Sequence, residues 1–262
     1  MLAKPIRTLL WYLKRPRYYS QLVNEILTKL HTACFSSGRG REHAGNWCRE
    51  HAISTNEAIY CITGTRPAES IQQQFAGIFT EAHKRASQCP VQMGGPGELD
   101  LLYYLAEYTA AVNILETGVA YGWSSLALLL SLQKRPGCHL YSIDMPYPGL
   151  QNEEYVGCVV PSEMKKNWIL IRFPDWQAIP RVLNDIDGPI DLCHYDSDKS
   201  WRGRMCSYKR IWKALRPGGI FISDDIDDNT AFRDFSVSVN ADPIVVEKGN
   251  NFAGILIKKE TH

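Results

Sequence analysis

Two apolar runs in the second half of the chain end in acids. Ile190-Asp191-Leu192-Cys193-His194-Tyr195 is followed by Asp196, and Ile220-Phe221-Ile222-Ser223 by Asp224 and Asp225. If both runs are neighbouring parallel strands, Asp196, Asp224 and Asp225 converge at one sheet edge. Three carboxylates that close repel one another unless something neutralises them. A hard divalent cation is the natural partner, and Mg²⁺ keeps positions open for water or substrate oxygens. Such a cation can polarise a hydroxyl and lower its pKa. Asp198 is a further candidate ligand, whereas Asp227 and Asp228 read as solvated loop charges.

A second set of residues could hold an organic ligand. Ile114-Leu115-Glu116-Thr117-Gly118-Val119-Ala120-Tyr121-Gly122-Trp123-Ser124-Ser125 reads as a strand ending in an acid, a glycine-containing loop and a helix start. Gly118 can take positive φ and let a ligand approach the backbone. Ser124 or Ser125 can cap the helix, whose first N–H groups point at the loop. In a doubly wound sheet this crevice is where nucleotides sit. Ala120 stands where dinucleotide enzymes have their second glycine, so a pyrophosphate fits poorly. Glu116 suits a cationic amino group. Asp144, closing Tyr141-Ser142-Ile143, can accept from both hydroxyls of a ribose.

The elements that must position these groups are legible from residue 112 onward. Strand-like runs at 112–116, 139–143, 168–172, 189–195 and 219–223 alternate with helical runs at 124–132, 176–183, 205–215 and 229–235. Such alternation predicts a parallel α/β sheet covered on both faces. Two last strands, 243–246 and 252–257, are joined by the tight turn Lys248-Gly249-Asn250-Asn251. Before residue 91 the spacing predicts helices over 18–35 and 67–87, and a loop over 36–45. Another helix is expected at 98–109. The chain thus divides into a helical extension, 1–90, and an α/β domain, 91–262.

Composition narrows the function. The 29 Lys and Arg against 28 Asp and Glu give a net charge of +1. That argues against holding nucleic acid by phosphate neutralisation. No apolar run approaches the roughly 20 residues that span a membrane. Eight cysteines without a Cys-x-x-Cys pair suggest reduced thiols and a cytoplasmic location. His43, Cys48, His51 and Cys61 fit no standard zinc spacing. The basic segment with Lys4, Arg7, Lys14, Arg15 and Arg17 carries Leu9, Leu10, Trp11 and Leu13. It reads as a helix packed on its own domain or on a second subunit, and less readily as a membrane-surface helix.

At this point the sequence resembles the class I S-adenosylmethionine-dependent methyltransferases, over about 95–258. Glu116-Thr117-Gly118 looks like their first motif, Asp144 matches their ribose-binding acid, and Leu215-Arg216-Pro217-Gly218-Gly219 is similar to their Leu-x-Pro-Gly-Gly turn. The resemblance implies a doubly wound Rossmann-like sheet of seven strands, order 3-2-1-4-5-7-6, with the last strand antiparallel. It also implies a cofactor site of Glu116, Gly118, Ala120, Tyr121, Gly122, Ser124, Ser125 and Asp144. The strand-end acids resemble the metal-dependent small-molecule O-methyltransferases, of which catechol O-methyltransferase is one. There Asp196 would match the first metal ligand and Asp224-Asp225 the following pair, and Lys199 would match the base. Asp196-Ser197-Asp198-Lys199-Ser200-Trp201 also resembles the Asp-Gly-Asp-His-Ser-Tyr signature of a bacterial branch, with Lys199 in place of the histidine.

The expected function is therefore Mg²⁺-assisted methyl transfer from S-adenosylmethionine to a hydroxyl of a small molecule. Two alternatives share the fold. One is an oxygenase resembling the cephalosporin hydroxylase-like branch, disfavoured because His194 is the one histidine near the strand ends. The other is a non-catalytic nucleotide-binding subunit. Residues 145–167 are expected to form part of a lid. Tyr121, Trp123 and Trp201 are expected either to stack on a substrate or to serve as core. The extension is a candidate dimer surface.

Overall fold

The computed structural model describes residues 4–35, 39–148 and 152–260. Eight strands form one sheet: β1 (Ala52–Ile53), β2 (Asn113–Thr117), β3 (His139–Ile143), β4 (Trp168–Ile171), β5 (Ile190–Tyr195), β6 (Leu215–Ser223), β7 (Ile244–Lys248) and β8 (Asn251–Ile257). They lie in the order β4-β3-β2-β5-β6-β8-β7-β1. Counted from β2 this is the expected 3-2-1-4-5-7-6, with β1 added at the far edge. β8 is antiparallel to β6 and β7, and the remaining pairs are parallel.

The central strands are buried on both faces, so they read as continuous apolar runs rather than alternating ones. Ile114, Leu140 and Leu192 face one core, and Leu115, Ile143 and Cys193 the other. The turn after β7 is a two-residue hairpin, Gly249-Asn250, with Gly249 at φ +57° and Lys248 paired with Asn251.

Three features differ from the sequence expectation. The eighth strand comes from the N-terminal segment, where Ala52 and Ile53 pair with Val245 and Val246. Two residues carry no readable alternation; the open edge of β7 recruits them. The expected loop at 36–45 is largely helix, Arg39–His51, packed through Ala44 and Cys48. Its residues Ser36–Gly38 lie outside the described residues. The helix expected over 67–87 begins instead at Ile71, because Ser70 and Gln73 form a capping box, and breaks at Phe75 into Ile71–Gln74 and Ala76–Ser87.

The parallel register decides where the chemistry sits. Thr117 is level with Ile143 and Tyr195, Tyr195 with Ser223, and Ile143 with Ile171. The next residue of each strand therefore falls on one edge: Gly118, Asp144, Arg172, Asp196 and Asp224. That edge includes the switch point between β2 and β5, where connections leave in opposite directions and ligands bind in open α/β sheets.

Candidate active site

The loop after β2 turns tightly over the sheet edge. Gly118 has φ +81°, and a Cβ there would lie 2.1 Å from the carbonyl oxygen of Asp196. Gly122 has φ +91°, and its Cβ would come within 2.9 Å of the Gly157 Cα. Both glycines therefore answer to neighbouring backbone, not only to a ligand. Ala120 between them is also left-handed, φ +48°, a conformation that costs a non-glycine residue energy. Its carbonyl accepts the Gly157 N–H at 2.9 Å.

Gly122, not a serine, caps the helix Trp123–Leu132, and no side chain caps its first N–H groups. Ser124 and Ser125 are turned to Glu116 instead. They donate to its carboxylate at 2.6 and 2.5 Å, and Ser142 adds a third hydroxyl at 2.5 Å. Ser142 in turn accepts the Trp168 indole N–H at 2.7 Å. Glu116 is fully buried beneath the loop, so its role toward a ligand's amino group is at most indirect.

His194, on β5 beside Glu116, completes a buried charged row. Its Nδ1 lies 3.9 Å from Glu116 and its Nε2 3.8 Å from Asp224. Burial alone would push the imidazole pKa down. The two carboxylates outweigh burial and lift it to about 9, so His194 is an imidazolium at neutral pH. Its two ring nitrogens are each turned to a carboxylate, an arrangement that does not offer the pair of histidine ligands an iron oxygenase needs.

Asp144 is 4% exposed. It accepts the Val119 N–H at 3.1 Å and is ion-paired with Arg172. Burial raises its pKa and Arg172 opposes the rise. Tyr18 of the N-terminal segment donates to the Arg172 carbonyl at 2.8 Å. Asp175, one helix start away, accepts from Ser197 Oγ. Burial lifts its pKa to about 6, against that hydrogen bond.

The acids expected to bind a metal are placed at two adjacent strand ends, but a lysine stands among them. The Lys199 ammonium is ion-paired with Asp196 and lies 2.9 Å from Asp225. Burial works against its charge, yet Asp196 and Asp225 hold its pKa above the ordinary lysine value. Held that way, Lys199 is a cation at neutral pH and not the free-amine base that the resemblance implied. Asn229 Nδ2 fixes the Lys199 carbonyl at 2.8 Å, and Asn251 Nδ2 donates to the second Asp225 oxygen at 2.9 Å. Asp225 itself is left-handed, φ +51°. Behind this loop Arg204, fully buried, donates to the carbonyls of Asp224 at 3.1 Å and Asp225 at 2.8 Å. Among the described residues no three His, Cys, Asp or Glu side chains are grouped to hold a metal ion. So placed, Asp196, Asp224 and Asp225 do not fit a divalent cation. Asp198 instead accepts the Ser200 N–H at 2.8 Å, at the start of the helix Trp201–Ala214. Asp227 accepts the Phe252 N–H, and Asp228 is ion-paired with Arg41, so neither is a merely solvated charge.

Two cavities open on this edge. The first, about 630 Å³, runs from Met93–Gly97 past Gly118–Ser124 to His194, Asp196, Lys199, Asp224 and Asp225. The second, about 570 Å³, lies over Asp144, Pro174 and Asp175, and helix residues Gln21, Asn24 and Glu25 wall it. They share Gly118, Tyr147, Asp196 and Ser197. Each is within the roughly 300–1,000 Å³ of small-molecule sites. The edge thus gathers Gly118, Ala120, Tyr121, Ser124, Asp144, Asp196, Lys199, Asp224 and Asp225 around connected space, with Glu116 and Ser125 beneath. Of the expected lid, Tyr147 lines both cavities, while Gly149–Gln151 lie outside the described residues. Tyr121 and Trp123 are largely buried. Tyr121 donates to the Val91 carbonyl at 3.0 Å, and Trp123 stacks on Phe79. Trp201 is 43% exposed and lines neither cavity.

Arg172, Asp175 and Arg204 belong to no motif that the sequence displays. Arg172 had a readable signal, since it follows β4 at the position level with Asp144. Arg204 had none, because its partners are backbone carbonyls.

Comparison with known proteins agrees with this geometry. Residues 115–226 match the family described as methyltransferase domain. No curated protein sequence matches the chain. The structure is similar to an O-methyltransferase from Bacillus cereus in complex with SAH, at 15% identity and TM-score 0.52, over 80% of this chain and 100% of that one. It is also similar to a Klebsiella pneumoniae protein provisionally described as an O-methyltransferase, at 15% identity and TM-score 0.53, over 82% and 100%. A Staphylococcus aureus protein provisionally described as a caffeoyl-CoA O-methyltransferase matches at 15% identity and TM-score 0.53, over 71% and 94%. At such identities the likeness is one of fold.

Proposed function

Starting from a methyltransferase domain of class I, Rossmann-like architecture at residues 115–226, we propose that the chain transfers a methyl group from S-adenosylmethionine to a hydroxyl of a small molecule. The observation that carries this reading is the first cavity, which joins the Gly118–Ser124 loop to Asp196 and Lys199 without interruption. S-adenosylmethionine, when bound, supplies a methyl group already activated by a sulfonium charge.

The chain's own residues do the rest. The uncapped N–H groups at the start of the helix Trp123–Leu132 suit a carboxylate. Asp144 offers an acceptor for ribose hydroxyls, and the second cavity has room for the base beside Asp175. The acidic wall of Asp196, Asp224 and Asp225 favours a cationic sulfur. Asp196 accepts the proton of the acceptor hydroxyl, and Lys199 steadies the oxygen as it gains charge. Holding that oxygen in line with the methyl is a proximity effect. Tyr121, Trp123 and the 93–97 loop close the cavity toward the core and limit water.

We assign residues 1–90 to a helical extension that adds β1 and walls the second cavity, and 91–262 to the methyltransferase domain. The exposed Ile6, Leu9, Leu10 and Leu13 support a role for the extension in homodimerisation. Seven free thiols among the described residues suit a reducing cytoplasm. The near-neutral charge supports a small-molecule partner rather than nucleic acid. No helix among the described residues is long and apolar enough to cross a membrane.

The test is incubation of the purified chain with methyl-labelled S-adenosylmethionine and a panel of hydroxylated small molecules. The reading expects label in an ether-linked methyl group by mass spectrometry. Label found only on nitrogen or carbon acceptors, or no transfer with intact binding, would overturn it.

A further inference from the structure

We propose that Lys199 is the resident cation of the strand-end acids, so that methyl transfer at this site runs without a bound divalent metal. The inference rests on the methyl-transfer reading above and concerns how its acids are neutralised.

Each of the three carboxylates already has a positive partner from the chain. Lys199 bridges Asp196 and Asp225, and His194 faces Asp224 at 3.8 Å. Arg204 adds a third positive charge directly behind the Asp224-Asp225 backbone, and it has no exposure to solvent. Its Nε and Nη1 have no hydrogen-bond partner, and its Nη2 lies 3.9 Å from the Asp228 carboxylate. A dication placed between Asp196 and Asp225 would sit beside the Lys199 ammonium and above the Arg204 guanidinium in a partly buried place, where like charges repel.

The lysine's position is built. Asn229 holds its carbonyl and Asn251 holds Asp225 from the opposite side. Mg²⁺ would demand near-octahedral oxygens at roughly 2.0–2.1 Å. The ammonium occupies the point between Asp196 and Asp225 where those oxygens would have to meet.

An ammonium has three N–H donors. Two face Asp196 and Asp225, and the third remains for the acceptor oxygen. The acceptor O–H gives its proton to Asp196. An oxygen electron pair forms the new C–O bond as the C–S bond breaks, with that bond's pair returning to sulfur. Lys199 keeps its protons throughout and lowers the energy of the developing oxyanion.

The experiment is a Mn²⁺ titration of the full chain followed by electron paramagnetic resonance, with methyl transfer measured in parallel in chelator. Wild type is expected to show no stoichiometric Mn²⁺ site and an unchanged transfer rate in chelator. Lys199→Ala is expected to gain a Mn²⁺ site, and adding Asp225→Asn to weaken it by about 10- to 100-fold. Lys199→Arg, which keeps the charge, is expected to stay without a site. A stoichiometric Mn²⁺ site in wild type that Asp225→Asn weakens would overturn the inference, as would transfer lost in chelator and restored by Mg²⁺. Should Lys199→Ala fail to fold, the wild-type titration alone decides. Should the methyl-transfer reading fail, no condition gives turnover, yet the Mn²⁺ titration still answers.

Discussion

The two halves of the strand-end edge use the same residue type in opposite ways. On the β2–β3 side, Glu116 and Asp144 are at most 4% exposed and are satisfied mainly from within the fold. Glu116 takes three serine hydroxyls and Asp144 takes a backbone N–H and Arg172. On the β5–β6 side, Asp196 and Asp225 keep part of their side chains in the cavity, at 36% and 26% exposure, and share one lysine. The difference teaches that a carboxylate at a strand end has no fixed task. What the register sets beside it decides whether it is scaffold or chemistry.

The largest effect should come from the buried half. Glu116→Gln removes the charge that faces His194 Nδ1 and should cost about 3–5 kcal/mol, because a buried cation loses one of its two carboxylate partners. Denaturant unfolding reads this, and a loss below about 1 kcal/mol would erase the contrast between the halves. Next comes Lys199→Met on the cavity side. Transfer should fall about 10²–10³-fold, as when one transition-state donor is removed. Stability should move by no more than about 1 kcal/mol, because this pair is a third exposed and water screens it. A variant that unfolds without losing rate per folded molecule would reverse the assignment.

A further effect on the buried half is in pH. His194 is protonated more readily in the folded chain than its ordinary 6.5, with a pKa of about 9. A raised pKa means stability that is fully present below about 6.5 and is lost as pH rises through about 9. Thermal unfolding should therefore shift downward over that window. His194→Gln should flatten the slope. A wild-type midpoint that rises across the same window would contradict the buried imidazolium.

Much of this was readable in the sequence, for physical reasons. Parallel strands buried on both faces leave uninterrupted apolar runs, so 112–116, 139–143 and 189–195 located β2, β3 and β5 to within a residue. The acids stood out because each follows such a run directly. What stayed hidden depended on tertiary context. β1 is two residues recruited by an open edge. Arg204 acts on backbone carbonyls, which no motif encodes. Lys199 was visible at its spacing from Asp196, but its role was not, because pairing with Asp225 depends on how β6 ends. The sequence shows Gly118 as room for a ligand, and in the fold the carbonyl of Asp196 shares that room.

The central claim is that this single edge binds S-adenosylmethionine on the β2–β3 side and reacts on the β5–β6 side. Calorimetric titration of S-adenosylmethionine into wild type, Asp144→Ala and Lys199→Met tests it most directly. The account predicts one site per chain, weakened about tenfold, or about 1.4 kcal/mol, in Asp144→Ala and not weakened in Lys199→Met. Absence of binding to wild type, or equal binding by wild type and Asp144→Ala, would contradict it.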